Sequence, residues 1–398
     1  MALPKTLLPL GAAAFALGTT EFVTVGLLPT IARAMSVSVG AAGALVTAYA
    51  VGIAVGGPCL AWFLRRRPPK SALLALLALF VAAHAVMALA GSFEVLVVAR
   101  VIAAATHGAF FGIAAVLAVS MVDESARSRA LGLLFGGLTI ATVLGVPLGT
   151  LLGQATSWRA PFVAIGLMGT AAAIWIAFVA HNPPSAGRAG ESAERPAVDW
   201  PALVKVFVAT ALGFGSMFIV FTFITTYLVE VTGIAEGAVP AVLLVYGLAT
   251  AAGALVGGSA GDRWPSQSLP LVLVLLALVL ATFGLSGATP WATLALLVLW
   301  GLTGFALPPL LQSRVIEVAG ASSTLASTLN VASFNVGIAL GSVIGTVFVT
   351  ADHLAWTPYA AAIGTAVAVP FAIRRTPRPR SGSSPQHHPA AAVGSTPL

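Results

Sequence analysis

Apolar runs of about twenty residues follow one another along almost the whole chain, broken by short polar stretches. None shows the two-residue alternation of a half-buried strand. The first reads LLPLGAAAFALGTTEFVTVGLLP over residues 7–29. Further runs lie at 41–64, 71–91, 94–120, 130–153, 161–181, 203–229, 236–260, 268–287, 291–312, 323–349 and 354–373. A helix that crosses a bilayer needs about 20 apolar residues, whereas a barrel strand needs about ten of alternating polarity. The pattern therefore predicts an all-α polytopic membrane protein with twelve transmembrane helices. The first run exceeds the apolar core of a signal peptide and a second span follows almost at once, so it is expected to stay in the mature chain.

The longest polar break, NPPSAGRAGESAERPAVDW, begins at Asn182. Its Pro, Gly, Ser and charged residues mark a flexible linker. The expected organisation is a six-helix bundle over 1–181, a cytoplasmic linker over 182–202, a second six-helix bundle over 203–373 and a disordered cytoplasmic tail over 374–398. A repeat joins the halves. Gly145, Gly149 and Gly153 stand at spacing four in span five, and Gly337, Gly341 and Gly345 do the same in span eleven, 192 residues later. Glu124 and Glu317, just before these spans, are 193 apart. Small residues every four positions clear one helix face for close backbone approach. Two pseudo-symmetric six-helix bundles, related by an axis along the membrane normal, are expected to hold a substrate site between them.

Composition agrees with this picture and narrows the function. The 398 residues are 59% hydrophobic and 8% charged, with mean hydropathy +1.01. A soluble domain carries about 25% charged residues. The net charge of +7 would point to nucleic acid if position were ignored. With the N-terminus inside, however, 16 of the 19 basic residues fall on the cytoplasmic side, leaving Arg33 and Arg159 in outer loops and Arg100 within a span. This asymmetry predicts a plasma (inner) membrane protein with both termini cytoplasmic and no nucleic-acid partner. The single cysteine, Cys59, forbids an internal disulfide. No Walker loop, metal-binding His pair or G-x-S-x-G nucleophile motif is present, so no ATP drive, metal, cofactor or enzyme activity is expected. His387 and His388 fall in the polar tail and are expected to be solvated.

The candidate chemistry lies in the first half. Glu21 is the only charge in the first run. A carboxyl group inside a membrane is costly, and is functional by default. Glu21 is eight residues from the outer end of span one and Arg100 six from the outer end of span four, so both lie about 9–12 Å deep at 1.5 Å per residue. Arg100 and His107 are two helical turns apart and share a face, which Phe111 continues. Glu21 is expected to be the main proton carrier, Arg100 its partner or a cargo anchor, and His107 a cargo ligand or second titrating site. A static Glu21–Arg100 ion pair and a packing role for His107 are the competing readings. His84, in span three, is expected to be structural, while Glu230 and the Asp352–His353 pair read as interface residues. In the second half, Thr222, Thr225, Thr226, Tyr246, Asn330 and Asn335 are polar candidates, for each of which a structural role in hydrogen bonds between helices is the leading reading, and no charge stands in mid-span.

LGTTEFVTVGLLPTIA (17–32) and ARVIAAATHGAFFGIAAVLA (99–118) resemble the first and fourth helices of the major facilitator superfamily. The likeness is to its proton-driven drug and small-molecule efflux branch, which includes the arabinose-efflux-like permeases, and it covers residues 7–373. It implies a monomer that works by alternating access, with spans one, four, seven and ten lining a cavity. The implied activity is proton antiport exporting a drug-like amphiphile, a sugar or a nucleoside, with proton-coupled import as the alternative. The implied cargo-facing set is Phe111, Thr24, Tyr49, Thr222, Thr226, Asn330 and Asn335. Gating residues follow from two motifs. The loop motif G-x-x-x-D-R-x-G-R-K is half matched after span eight, from Gly258 to Asp262 and Arg263. After span two its Asp and first Arg positions are Ala61 and Trp62, and only Arg65 and Arg66 remain. The span-five motif G-x-x-x-G-P-x-x-G is altered, with Ala141 first and Gly145, Pro147 and Gly149 following. The fourth-helix motif R-x-x-Q-G matches only at Arg100, with Ala103 and Ala104 at its other positions.

Overall fold

The computed structural model describes residues 7–123, 126–180, 199–287, 289–320 and 323–373. Glu124, most of the expected linker and the expected tail lie outside the described residues. Among the described residues, twelve helices are long and apolar enough to cross a membrane. They are α1 (Leu8–Ala34), α2 (Val39–Leu64), α3 (Pro69–Leu89), α4 (Phe93–Ser120), α5 (Arg129–Ala155), α6 (Ala160–Val179), α7 (Trp200–Phe221), α8 (Glu236–Arg263), α9 (Ser268–Ser286), α10 (Pro290–Ala319), α11 (Leu325–Thr350) and α12 (Leu354–Ala372). No strand occurs among the described residues. Successive spans alternate in direction, so α1 begins and α12 ends on one face, here the terminal face; the opposite side is the far face. Several starts are fixed by side-chain caps. The hydroxyls of Ser38 and Ser92 and the carboxylate of Asp199 accept the N–H of Ala41, Val95 and Ala202, filling donors that a helix start leaves open.

The packing repeats with a period of six helices. In the first bundle α1 lies on α5 and α6, α2 on α4, and α3 on α4 and α6. In the second, α7 lies on α11 and α12, α8 on α10, and α9 on α10 and α12. The bundles meet through α2 on α11 and α5 on α8, a pair of contacts related by the same exchange. The glycine ladders are the seams inside each bundle. A Cβ on Gly145, Gly149 or Gly153 would run into Thr19, Val23 or Leu27 of α1. One on Gly337, Gly341 or Gly345 would run into the carbonyls of Ala211, Gly215 or Ile219, which begin on α7. The partner residues are offset by the same 192 positions as the glycines, so the repeat extends to the paired helices.

Proline shapes three spans. Pro29 lies inside α1, which runs on to Ala34 instead of ending where the apolar run predicts. Gly52–Gly56 of α2 and Ala141–Gly145 of α5 form wide π turns, in which Gly57 N–H reaches Gly52 O and Val146 N–H reaches Ala141 O. Each stands just before a proline, Pro58 or Pro147, whose ring removes a donor and crowds the preceding turn. The seventh run, expected to be continuous over 203–229, is broken instead. It passes through a tight turn at Gly215–Met217, then short turns at Ile224–Thr226 and Tyr227–Val231.

Candidate functional site

Within the first bundle, one polar network links four helices. Arg100, fully buried on α4, donates from Nη1 to the carbonyl of Thr20 at 2.6 Å. It also donates from Nη2 to the carbonyl of Glu21 and from Nε to that of Leu45, both at 3.4 Å. Its guanidinium lies over the ring of Tyr49 from α2, 4.1 Å from the centroid, a favourable cation–π placement. The Tyr49 hydroxyl is 2.8 Å from His107 Nδ1 and 3.5 Å from Leu17 O. His107 Nε2 is 3.9 Å from Glu21 Oε2.

The expected side-chain ion pair between Glu21 and Arg100 is not formed. The arginine reaches the main chain of residues 20 and 21 on α1, and the carboxyl group turns toward His107. Arg100 is fully buried in this state. His84 is more connected than a peripheral helix implies. Its Nδ1 meets Phe80 O at 2.8 Å, so that nitrogen carries the hydrogen, and Nε2 accepts from the Thr20 hydroxyl at 2.9 Å. Thr20 is thus held by α3 through its side chain and by α4 through its carbonyl.

The Glu21 side chain borders a narrow crevice between the bundles, about 10 Å³ in this state, room for about one water. The first bundle lines it with Glu21, Phe22, Val46, Tyr49 and Ala50, and the second with Phe218, Asn335 and Ile338. Behind Phe218 stands a cluster in which Phe221 stacks on Tyr246 at 5.2 Å, with Trp300 edge-on to both. Phe22 meets this cluster across the interface, 6.4 Å from Phe218 and 6.2 Å from Phe221. The result is a carboxyl group facing an aromatic wall.

Of the expected cargo-facing set, Tyr49 and Asn335 line this cavity. Phe111 stacks on Phe135 at 5.5 Å and lies tilted against His107 at 5.0 Å, one turn nearer the terminal face than His107. Thr24, Thr222 and Thr226 are buried away from the cavity lining, with hydroxyls that have no hydrogen-bond partner. Asn330 is used structurally. It accepts from Thr210 of α7 at 2.8 Å and donates to Gln312 of α10 at 3.0 Å.

The gating set is also redistributed. Arg65 caps its own turn, donating to Trp62 O at 2.8 Å and lying over the Trp62 ring. Arg66, Asp262 and Arg263 are exposed, with Arg263 against Trp264. Gly145 and Gly149 pack against Thr19 and Val23 of α1, and the contact between the halves includes Thr142 and Val143, against which Gly247 of α8 packs.

The far face is closed by bonds that the sequence reading missed. Arg33 pairs with Glu236 at 2.7 Å, and Gln154 donates to the Glu236 carbonyl at 3.2 Å. Ser342 Oγ donates to Gly43 O at 3.2 Å. Thr225 Oγ1 donates to Val25 O at 3.1 Å. Val25 O is the carbonyl that Pro29, lacking an N–H, leaves without its helical donor. Pro29 was the available signal, since a proline inside a span needs an outside donor for the freed carbonyl.

Comparison with known proteins places the architecture. The Major Facilitator Superfamily profile matches residues 10–330 and again 206–395. The chain is 35% identical to the inner membrane transport protein YdhP of Escherichia coli K12 over 345 residues, covering 87% of this chain and 89% of that one. It is 36% identical to the chloramphenicol resistance protein of Streptomyces lividans over 346 residues, covering 86% and 88%. A solved structure of a bacterial homologue of the human lysosomal transporter Spinster, inward-facing and unoccupied, shares the fold with a TM-score of 0.74 at 16% identity, covering 92% of this chain and 95% of that one. With twelve spans in two pseudo-symmetric bundles around a central cavity, the chain belongs to the Major Facilitator Superfamily and is a multi-pass membrane transporter of small molecules, not an enzyme.

Proposed function

We propose that the protein is a proton-coupled antiporter that exports a small amphiphilic molecule by alternating access, working as a monomer in the cell membrane. One observation carries the reading: Glu21, whose carboxyl oxygens make no hydrogen bond among the described residues, borders the cavity between the two bundles. A proton carrier must be reachable from each side in turn, and a group at the bundle interface satisfies that need. The concentration of Lys and Arg on the terminal face makes that face cytoplasmic, with residues 1–181 and 203–373 as the two moving bundles and 182–202 as the cytoplasmic linker. With the far face closed, cargo enters from the cytoplasm. Ionised Glu21 holds it against the aromatic wall. After the bundles rock, a proton from outside takes the carboxylate, cargo leaves, and the protonated carrier returns. His107, oriented by Tyr49, faces the carboxyl group and tunes this exchange, while Arg100 fixes α1 to α2 and α4. The relative that confers chloramphenicol resistance makes chloramphenicol, an aromatic amide alcohol, the first cargo to try.

The test uses everted vesicles with an inside-acid gradient followed by a pH-sensitive dye. Chloramphenicol is expected to dissipate the gradient with parent protein and not with Glu21→Gln. Dissipation by Glu21→Gln equal to the parent at every pH would refute the assignment of the proton carrier. Accumulation of radiolabelled cargo in whole cells, driven by an inward proton gradient, would replace export with symport.

A further inference from the structure

We infer that the cavity selects cargo by its hydrogen-bond donors, through paired acceptors contributed one by each bundle: the Glu21 carboxylate and the Asn335 side-chain carbonyl. The inference rests on the cavity being the cargo site and adds what that site recognises.

Asn335 lies on α11 and is 6% exposed. Its Nδ2 donates to Val331 O, one turn back on its own helix, at 3.0 Å. That bond fixes the amide orientation, since the flipped amide would set oxygen against oxygen. The donor end is therefore spent locally, and Oδ1 remains with no partner. A buried carbonyl without a partner is unfavourable and is rarely kept without a use. Across the cavity, Glu21 as a carboxylate is also acceptor-only. The other lining residues are Phe22, Val46, Ala50, Phe218 and Ile338, which offer only apolar side chains, and Tyr49, whose hydroxyl is engaged with His107.

The site therefore presents two acceptors and no free donor. A molecule that fits it brings donors of its own, such as hydroxyl, amide N–H or ammonium, on an apolar or aromatic body. An ether, ester or quaternary ammonium of the same shape leaves both oxygens bare. Because the acceptors lie on opposite bundles, a cargo with two donors also ties the bundles together and is sensed by both. Protonation of Glu21 turns one acceptor into a donor, so the incoming proton and the cargo donor compete for the same oxygen. The Asn335 contact is indifferent to pH.

The probes are chloramphenicol and its derivative methylated at both hydroxyls and at the amide nitrogen, which keeps the acceptors and aromatic body and loses every donor. Binding to the purified full chain in nanodiscs is measured by calorimetry at two pH values, alongside gradient dissipation in vesicles. Parent protein is expected to bind chloramphenicol about tenfold more tightly than the methylated compound, from the loss of buried hydrogen bonds. Asn335→Ala should erase most of that difference while leaving the pH dependence of chloramphenicol binding intact. Asn335→Leu, which keeps bulk in the cavity, should act in the same direction and guards against a packing effect of the smaller residue. Equal binding of the two probes by parent protein, together with normal gradient dissipation, overturns the donor rule alone. An equal loss for both probes in the Asn335 variants also overturns it, because that is the mark of shape. Absence of any binding or dissipation by chloramphenicol overturns the export reading and the inference together.

Discussion

Replacing Thr225 by Val tests whether the proline in α1 sets the balance between the closed and open far face. Thr225 is 2% exposed, and its hydroxyl meets the Val25 carbonyl that Pro29 frees. Valine keeps the shape and removes the donor. In the closed state the carbonyl is then buried without its side-chain partner, whereas in the open state water can serve it. A penalty of about 1–2 kcal/mol on the closed state is expected for a buried neutral acceptor. That corresponds to about a 5- to 30-fold rise in the open population. The single native cysteine makes the assay clean. With Cys59 replaced by Ala and a reporter at Ala42→Cys, buried at the bundle interface near the far face, the rate of maleimide labelling follows the open fraction. In a Pro29→Ala background the restored N–H serves Val25 O, and the effect of Thr225→Val should shrink to within about twofold. Unchanged labelling in Thr225→Val, or the same change in both backgrounds, would refute the reasoning.

Two further outcomes follow from the same contacts. Arg33→Glu and Glu236→Arg should each raise reporter labelling, and the double exchange should restore it. The side chains are 62% and 43% exposed, so the effect is worth about 0.2–1 kcal/mol and should fade in high salt. Gly341→Ala should lower thermal stability in detergent by about 1–3 kcal/mol, because the new methyl meets the Gly215 carbonyl and the helices must part. Gly149→Ala should cost less, because its Cβ meets a methyl of Val23 at 2.5 Å, the end of a side chain. Equal melting temperatures for the two variants would contradict that ordering.

The spans were legible because a bilayer imposes one length and one polarity on every crossing helix. The repeat was legible because close backbone approach needs glycine at fixed spacing. The destination of Arg100 was not, since its partners are main-chain carbonyls that any residue supplies. The break in α7 was hidden for a related reason: its apolar sequence satisfies hydropathy whether or not the helix is continuous. The two asparagines could have been sorted. Asn330 is seven residues, two full turns, before Gly337 and so shares the glycine face that packs on α7, where it meets Thr210. Asn335 is two residues before Gly337, about 200° around the helix, and therefore faces elsewhere, toward the cavity. Their chemistry is the same and their register separates them.

The repeat also shows where the halves differ in sequence at equivalent positions. The offset of 192 that relates Val23 to Gly215 and Leu27 to Ile219 relates Glu21 to Gly213 and Phe22 to Phe214. One register position thus carries the intramembrane carboxyl in α1 and, in α7, the glycine that ends the first helical segment before the tight turn at Gly215–Met217. The first bundle holds its position with Arg100 bonded to three carbonyls on α1 and α2, and with His84 reaching Thr20 from α3. In the second, a side chain at Gly213 would meet Leu273 of α9 and Ala368 of α12, and the neighbouring Phe214 packs against Phe305 and Phe334. A proton site needs fixed neighbours, because a carboxyl group that drifts loses the environment that sets its affinity. On the proposed reading, an aromatic wall that grips cargo and then releases it needs room to rearrange. On that reading, a duplicated fold meets both demands when each half keeps the seam that packs it and gives the equivalent register position to a different task.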